Sequence, residues 1–494
     1  MNDFIKIHPD DNVAVALRSV PAGTPVDLEG VRLAALDEIP AGHKIALTDI
    51  PEGVNIIKYG FPIGHAKTDI RAGEHVHSHN VRSNLEGLRE YAYHPVPGSD
   101  RVEEPASFMG YVRPDGSVGI RNEVWIIPTV GCVNGIAEAI EEQCMPFKPE
   151  GVERVCAYTH PYGCSQLGGD HLMTQKALCG LIRHPNAGGV LVLGLGCENN
   201  QIDDLKKVLG EYDPDRVKFL VCQQVEDEIA EGTALMKELM DYAAGFKREP
   251  VPASKLIVGL KCGGSDGFSG ITANPLLGSF AEKLTAQGGA VMLTEVSEMF
   301  GAETMLMDRA ANEEVFEKTV SLINDFKEYF MRYGEKINEN PSPGNKKGGI
   351  TTLEDKSLGC VQKGGRLTVR DVLRYGDRIR VPGLSLLQAP GNDLVAATAL
   401  AVSGAQLILF TTGRGTPFGC PIPTVKISTQ SDIAARKKNW IDFNAGKLLE
   451  GMEMGELTEE FFAYTLKTAS GEIHPVSEAL SKKNLAIFKD GVTL

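Results

Sequence analysis

The stretch Val124-Trp125-Ile126-Ile127-Pro128-Thr129-Val130-Gly131-Cys132 decides the fold class. Its apolar residues follow one another without polar alternation and the run stops at a glycine, the pattern of a strand buried on both faces of a parallel sheet. The same texture returns at Gly189-Val190-Leu191-Val192-Leu193, Leu256-Ile257-Val258-Gly259-Leu260 and Gln406-Leu407-Ile408-Leu409-Phe410. Between these runs, residues 278–287 and 312–332 carry helical periodicity. The expectation is an α/β body with a mostly parallel sheet and βαβ connections.

Before this body the texture differs. Val20-Pro21-Ala22-Gly23, Ile39-Pro40-Ala41-Gly42, Ile50-Pro51-Glu52-Gly53 and Ile70-Arg71-Ala72-Gly73 repeat one turn-like phrase, separated by short β-rich runs such as Asn55-Ile56-Ile57-Lys58-Tyr59. This reads as a small all-β domain. Composition shifts and turn clusters divide the chain into a β domain (1–92), a linker (93–110), a middle α/β domain (111–250) and a C-terminal α/β domain (251–494).

The 494 residues exclude a single small module, and 42% hydrophobic with 23% charged residues excludes wholesale disorder. A net charge of −15, from 50 basic and 65 acidic residues, opposes nonspecific contact with nucleic acid or anionic membranes. No apolar run approaches the ~20 residues of a membrane span, and the first residues lack the order of a secretion signal. A cytoplasmic protein with reduced thiols is expected.

Chemistry-bearing residues gather where strands end. Cys132, Cys164, Cys197 and Cys262 each follow a strand-like run, and ligand sites of open parallel sheets lie at those ends. With Glu198 they form a candidate metal set suited to iron, as Fe2+ or an iron–sulfur cluster, with manganese as a substitute. No Cys-x-x-Cys pair suggests a zinc knuckle. His160 is the first candidate base and Lys356 the second.

Three glycine-rich loops, 262–270, 343–349 and 411–417, are expected after strands, with donors for carboxylate or hydroxyl groups. Candidate substrate contacts are Ser265, Asp266, Asn274, Asn345, Lys346, Thr412, Gly413 and Arg414, joined by His43 and Lys44 should the β domain dock on the body. Gly194-x-Gly196-x-x-Asn199 lacks the third glycine of a dinucleotide fingerprint and no phosphate-loop motif occurs, so no NAD is expected. Alternation places His75, His77 and His79 on one strand face, read here as a solvated edge rather than a metal site.

These motifs, together with Gly42-His43-Lys44, His75-Val76-His77, Thr129-Val130-Gly131-Cys132-Val133-Asn134, Tyr162-Gly163-Cys164-Ser165-Gln166, Gly196-Cys197-Glu198-Asn199-Asn200 and Thr412-Gly413-Arg414-Gly415-Thr416-Pro417, resemble the altronate/galactarate dehydratase family from Ile5 to Leu494. The resemblance implies an N-terminal SAF, or β-clip, domain and a C-terminal Rossmann-like sheet. It also implies iron-dependent loss of water from a sugar acid. The His75-Val76-His77 stretch favours the branch that converts D-altronate to 2-dehydro-3-deoxy-D-gluconate in hexuronate catabolism, and its restriction to that branch implies that these histidines are not part of a metal site shared across the family. A homodimer is the expected assembly.

Overall fold

The computed structural model describes residues 3–480, 484–491 and 493. The N-terminal domain is built from short antiparallel strands. Phe4–Ile5, Val13–Ala16, Lys44–Ala46 and His75–Val76 form one sheet, and Asn55–Lys58, Phe61–Ala66 and Val81–Arg82 a second. The repeated phrase is the reason for the compactness. Its copies pair two by two through Val20 with Ile39 and Ile50 with Ile70, and each ends in a glycine at positive φ, between 79° at Gly53 and 93° at Gly73. The leading residue of each copy, Val20, Ile39, Ile50 and Ile70, is buried on the inside.

Residues 86–105 have no regular structure, yet they do not hang free. Tyr93 Oη donates to the Ala310 carbonyl at 2.6 Å, and the amides of Val96 and Ser99 bond the carbonyls of Asp308 and Arg366, so the expected linker is strapped along the C-terminal domain. The boundary drawn at 110 also crosses a strand. Ser107–Val112 pairs antiparallel with Arg248–Pro252, tying the two ends of the middle domain together.

The middle domain holds a parallel sheet of β1 (Glu123–Pro128), β2 (Arg154–Ala157), β3 (Ala187–Gly194) and β4 (Val217–Val221), in the order β2-β1-β3-β4. Every residue of β1 and β3 is buried, which is why both read as unbroken apolar runs. The C-terminal domain carries a seven-stranded parallel sheet of β5 (Ile257–Cys262), β6 (Ala290–Leu293), β7 (Val369–Leu373), β8 (Gly383–Leu387), β9 (Leu407–Thr412), β10 (Thr424–Ser428) and β11 (Phe443–Asn444). Its order is β7-β8-β6-β5-β9-β10-β11. The helices expected over 278–287 and 312–332 occupy Ala273–Ala286 and Glu313–Arg332.

The glycine-rich segment 343–349 departs from expectation. It does not follow a strand but forms α1 (Pro343–Lys347), begun by a Ser342 capping box with Asn345 and by Pro343 at the first helical position. No helix among the described residues is long and apolar enough to cross a membrane.

Candidate active site

Strand β5 ends in Lys261-Cys262, both buried. Beside it runs α2 (Leu353–Cys360), started by the Thr352 hydroxyl, which accepts the Asp355 amide. Lys356 and Cys360 stand one turn apart on this helix. Cys262 Sγ lies 3.4 Å from Cys360 Sγ, 2.8 Å from Lys363 Nζ and 3.5 Å from Glu298 Oε2. Lys356 donates to Glu298 Oε1 at 2.8 Å and to Asn340 Oδ1 at 3.1 Å, while Lys261 bonds Glu295 and Asp393. Burial alone would raise Glu298, but Lys356, Lys261 and Lys363 outweigh it and hold that carboxyl at about 2. The hydrogen bond to Cys262 and burial push the Cys360 thiol well up.

The β domain supplies the other wall. Lys44 and Lys58, from strands of its two sheets, meet one carboxylate: Lys44 Nζ is 2.8 Å from Asp355 Oδ2 and Lys58 Nζ 2.9 Å from Oδ1. Lys44 also donates to the Gly349 carbonyl at 2.7 Å, and the Thr351 amide and hydroxyl donate to Asp355 at 3.0 Å. Burial pushes Lys44 down to about 8 despite Asp355. For Asp355 burial acts upward, yet the two lysines drive the carboxyl far below the usual carboxylate range. The two lysines thus tie both sheets of the β domain to one carboxylate of the C-terminal domain. The seam between the domains holds a void of about 10 Å³, room for no more than a water molecule, lined by Lys58 and Lys356, by Asp266 and Asp355, and by Ser265, whose Oγ is buried without a hydrogen-bond partner.

Higher on the same seam three imidazoles converge. His43 Nδ1 is 3.0 Å from His75 Nε2, the His43 and His77 ring centroids are 4.8 Å apart, and His43 Nε2 lies 3.2 Å from the Lys347 carbonyl of α1. Burial lowers His75 to about 4 and His77 to about 3. The reading of 75–79 as a solvated edge is therefore corrected. His79 is exposed, but His75 and His77 turn inward because the strand is only His75–Val76 and the chain then bends, the Asn80 carboxamide bonding the His77 amide and the His75 carbonyl.

Cys132, Cys164 and Cys197 are exposed on the loops after β1, β2 and β3. Those loops are stitched side by side: the Gly131 amide donates to the Tyr162 carbonyl at 2.9 Å, the Asn200 amide to Gly163 at 3.1 Å, and the Ser165 amide to Asn199 Oδ1 at 2.8 Å. Gly163 permits the approach, since a Cβ there would stand 2.0 Å from the Thr129 carbonyl oxygen.

The expected metal set does not form one constellation. Cys262 belongs to the buried C-terminal group, and Glu198 spends both oxygens on the loop, accepting from the Thr129 hydroxyl at 2.6 Å and the amides of Leu195 and Gly196. Nor does the Cys262, Glu298 and Cys360 group fit a metal, because Lys261, Lys356 and Lys363 already neutralise it. The three exposed thiols share neighbouring loops, but their sulfurs do not all converge within 4.8 Å, so they form no closed mononuclear site among the described residues. They are soft ligands with only a distant neighbour, Gln223 Nε2 at 3.6 Å from Cys197 and Ser165 Oγ at 3.7 Å from Cys164.

His160 is corrected as a base: Nε2 lies 2.8 Å from the Pro128 carbonyl and Nδ1 accepts the Tyr162 amide at 3.2 Å, so both nitrogens are engaged, and burial lowers it to about 4. Lys356 is likewise a paired cation rather than a base. Asp266 braces loops, accepting from Thr429, Gln430, Ser269 and the Phe268 amide. Asn345 caps α1 and donates to the Ser265 carbonyl, Asn274 bridges Thr411 and Gly359, and the Thr412 hydroxyl accepts the Gly415 amide. Gly413 is required by packing, since a Cβ would lie 2.2 Å from Asp266 Cγ. Lys346 and Arg414 remain open: the Arg414 amide donates to the Gly264 carbonyl at 3.1 Å, but its exposed guanidinium bonds only the Gly344 carbonyl of α1 at 3.5 Å among the described residues. The segment carrying Arg414 runs from the end of β9 to Pro421, whose carbonyl accepts the Tyr158 hydroxyl just beyond β2. It thereby joins the rims of the two parallel sheets.

With this geometry, models of three successive domains match the chain: the altronate/galactarate dehydratase SAF domain over 2–84, the D-galactarate dehydratase/altronate hydrolase second domain over 110–244 and the D-galactarate/altronate dehydratase C-terminal domain over 253–493. The chain belongs to the D-galactarate/altronate dehydratase family. An altronate dehydratase of Bacillus subtilis is 54% identical over 100% of both chains, and one of Escherichia coli 53% identical over 99% of this chain and 100% of its own. A galactarate dehydratase (L-threo-forming) of Escherichia coli is 34% identical over 98% and 96%. The SAF domain of this family is thus the wall that carries Lys44, Lys58 and the histidines.

The sequence offered a signal for only part of the seam. Thr352-x-x-Asp355 is a helix-start pattern, but nothing local marks Glu298, Cys360 or Lys363, which come from separate segments joined only by the fold.

Proposed function

We propose that the chain is an altronate dehydratase, removing water from D-altronate to give 2-dehydro-3-deoxy-D-gluconate in hexuronate catabolism. The observation that carries this reading is end-to-end identity above one half with altronate dehydratases, against one third with a galactarate dehydratase. Ten free cysteines suit a reducing, cytoplasmic setting.

The reaction takes the proton at C2, alpha to a carboxylate, and expels the C3 hydroxyl. The enediolate so formed carries a second negative charge, so stabilising cations are the main requirement. Unpaired Arg414 and Lys346 on the joined rim are suited to the substrate carboxylate, and Lys356, kept charged by Glu298, is suited to the developing charge as an electrostatic partner. Iron is the proposed cofactor, held by Cys132, Cys164 and Cys197, where it supplies a Lewis acid.

Reduced, iron-loaded protein incubated anaerobically with D-altronate is expected to form a 2-keto-3-deoxy acid, with kcat/KM at least 10-fold above that for galactarate. No product from fully metallated, folded protein sinks the reading. Acid-labile sulfide in protein purified without chelator distinguishes a cluster from mononuclear iron.

A further inference from the structure

We propose that His43, His75 and His77 bind a single divalent transition-metal ion at the seam between the SAF and C-terminal domains. One ligand nitrogen from each imidazole lies within 4.8 Å of the others. Two nitrogens each about 2.0–2.1 Å from a common ion, at an angle between square and tetrahedral, stand about 2.9–3.4 Å apart. The observed separation of His43 Nδ1 and His75 Nε2 is 3.0 Å.

The surroundings are those of a built site. The Lys347 carbonyl can only accept, so His43 Nε2 carries the proton and Nδ1 presents its lone pair to His75. A ligating histidine whose second nitrogen donates to a backbone carbonyl is the usual arrangement around a metal, because that bond fixes the tautomer and the ring. His77 Nδ1 is buried with no hydrogen-bond partner. A buried nitrogen left unsatisfied is costly in a settled core, and a ligand would satisfy it.

Three imidazoles suit Zn2+, Fe2+ or Co2+ better than Mg2+ or Ca2+. The site sits on α1, the helix that also carries Lys346 and the Gly344 carbonyl met by Arg414. All three ligands come from the SAF domain, and through His43, whose Nε2 donates to the Lys347 carbonyl, an ion there reaches the edge of the proposed anion site. It is separate from the thiols Cys132, Cys164 and Cys197, and its occupancy does not depend on the dehydratase reading.

The test uses the full chain with Cys132, Cys164 and Cys197 all changed to serine, stripped with chelator and titrated with Co2+. One equivalent is expected to bind, with visible ligand-field absorption and a rise in Tm. His75→Ala and His77→Ala should each weaken binding at least 10-fold and abolish the Tm rise. Absence of binding in the parent, or Co2+ binding unchanged in both folded histidine variants, overturns the proposal. Should the variants not fold, Co2+ must slow carbodiethoxylation of His75 and His77 in the unmutated chain at least 5-fold, read by peptide mass, and equal rates with and without metal overturn it.

Discussion

At the ends of β1, β2 and β3 in the middle domain three thiols stand in solvent, whereas at the end of β5 in the C-terminal domain Cys262 touches Cys360 inside a shell of lysines and carboxylates. The strands themselves are alike, parallel and buried. What differs is the cover. The SAF domain closes over the second region and brings two lysines to Asp355, while among the described residues no such pair of lysines meets a buried carboxylate beside the three thiols. Buried charges that are mutually satisfied hold domains together, and donors left without partners are where a ligand gains most. The closed end is thus the source of stability, and on the proposed function the open rim is the place of the iron and of the substrate carboxylate, with Lys356 at the border between the two.

The closed end should break most severely at Asp355. Asp355→Asn leaves Lys44 and Lys58 buried without their counter-charge, and removing one partner of such a group costs about 3–5 kcal/mol. Denaturant unfolding is expected to show that loss, with proteolysis entering near residues 86–105, where the chain joins the SAF domain to the body. A loss under 1 kcal/mol means the seam is not what holds the domain.

A sharper contrast comes from His160, beside the open thiols yet fully engaged by Pro128 and Tyr162. Its pKa is about 4 in the fold, against about 6.5 when exposed, so the unfolded chain binds the extra proton between these values. Its share of stability is present above about pH 6.5 and is lost as pH falls towards 4, amounting to about 3 kcal/mol. His160→Gln should flatten that slope while kcat per folded molecule changes less than threefold. A loss of 100-fold or more in kcat with Tm intact restores His160 as a base.

This prediction also marks what the sequence made legible. Strand-end positions follow from apolar runs and terminal glycines, so the α/β body and the strand-end thiols could be located along the chain. Whether a side chain at such a position faces solvent or its own loop depends on hydrogen bonds from other segments. Thus Glu198 and Asp266 read as ligands but turn out to be braces. The converse holds for His43, whose partner His75 lies 32 residues away and whose anchor Lys347 lies 304 away. No local pattern could join them.

The two sets of thiols give the next test. Exposed substitutions usually change stability by less than about 0.5 kcal/mol, so Cys164→Ser should leave Tm within a degree or two while iron per chain, measured by atomic absorption, falls at least fivefold. Cys360→Ser puts a smaller hydroxyl where a buried sulfur meets Cys262 and Glu298, exchanging packing for a polar group, and should cost about 1–2 kcal/mol with iron content unchanged. Iron loss in the buried variant and not in the exposed one would reverse the assignment of the two regions.

The smallest effect probes the rim where the two sheets meet. Arg414 is exposed, its guanidinium has no carboxylate within 4 Å among the described residues, and the one hydrogen bond of that guanidinium among them is to the Gly344 carbonyl at 3.5 Å. It therefore contributes little to holding loops together and keeps its planar fork free. Lysine preserves the charge but offers a single point of contact in place of two parallel donors. Losing one charge-assisted hydrogen bond costs roughly 1.5–3 kcal/mol, so Arg414→Lys should lower kcat/KM for D-altronate by about 10-fold or more. Tm should move by less than a degree, because no buried partner is abandoned. If activity is retained in a stably folded variant, Arg414 is not the carboxylate anchor and Lys346, the other open cation of the rim, takes that place. If Tm falls instead, with activity per folded molecule unchanged, the loop from β9 to Pro421 depends on Arg414 for its shape, and the open rim is less free of structural duty than its exposure implies.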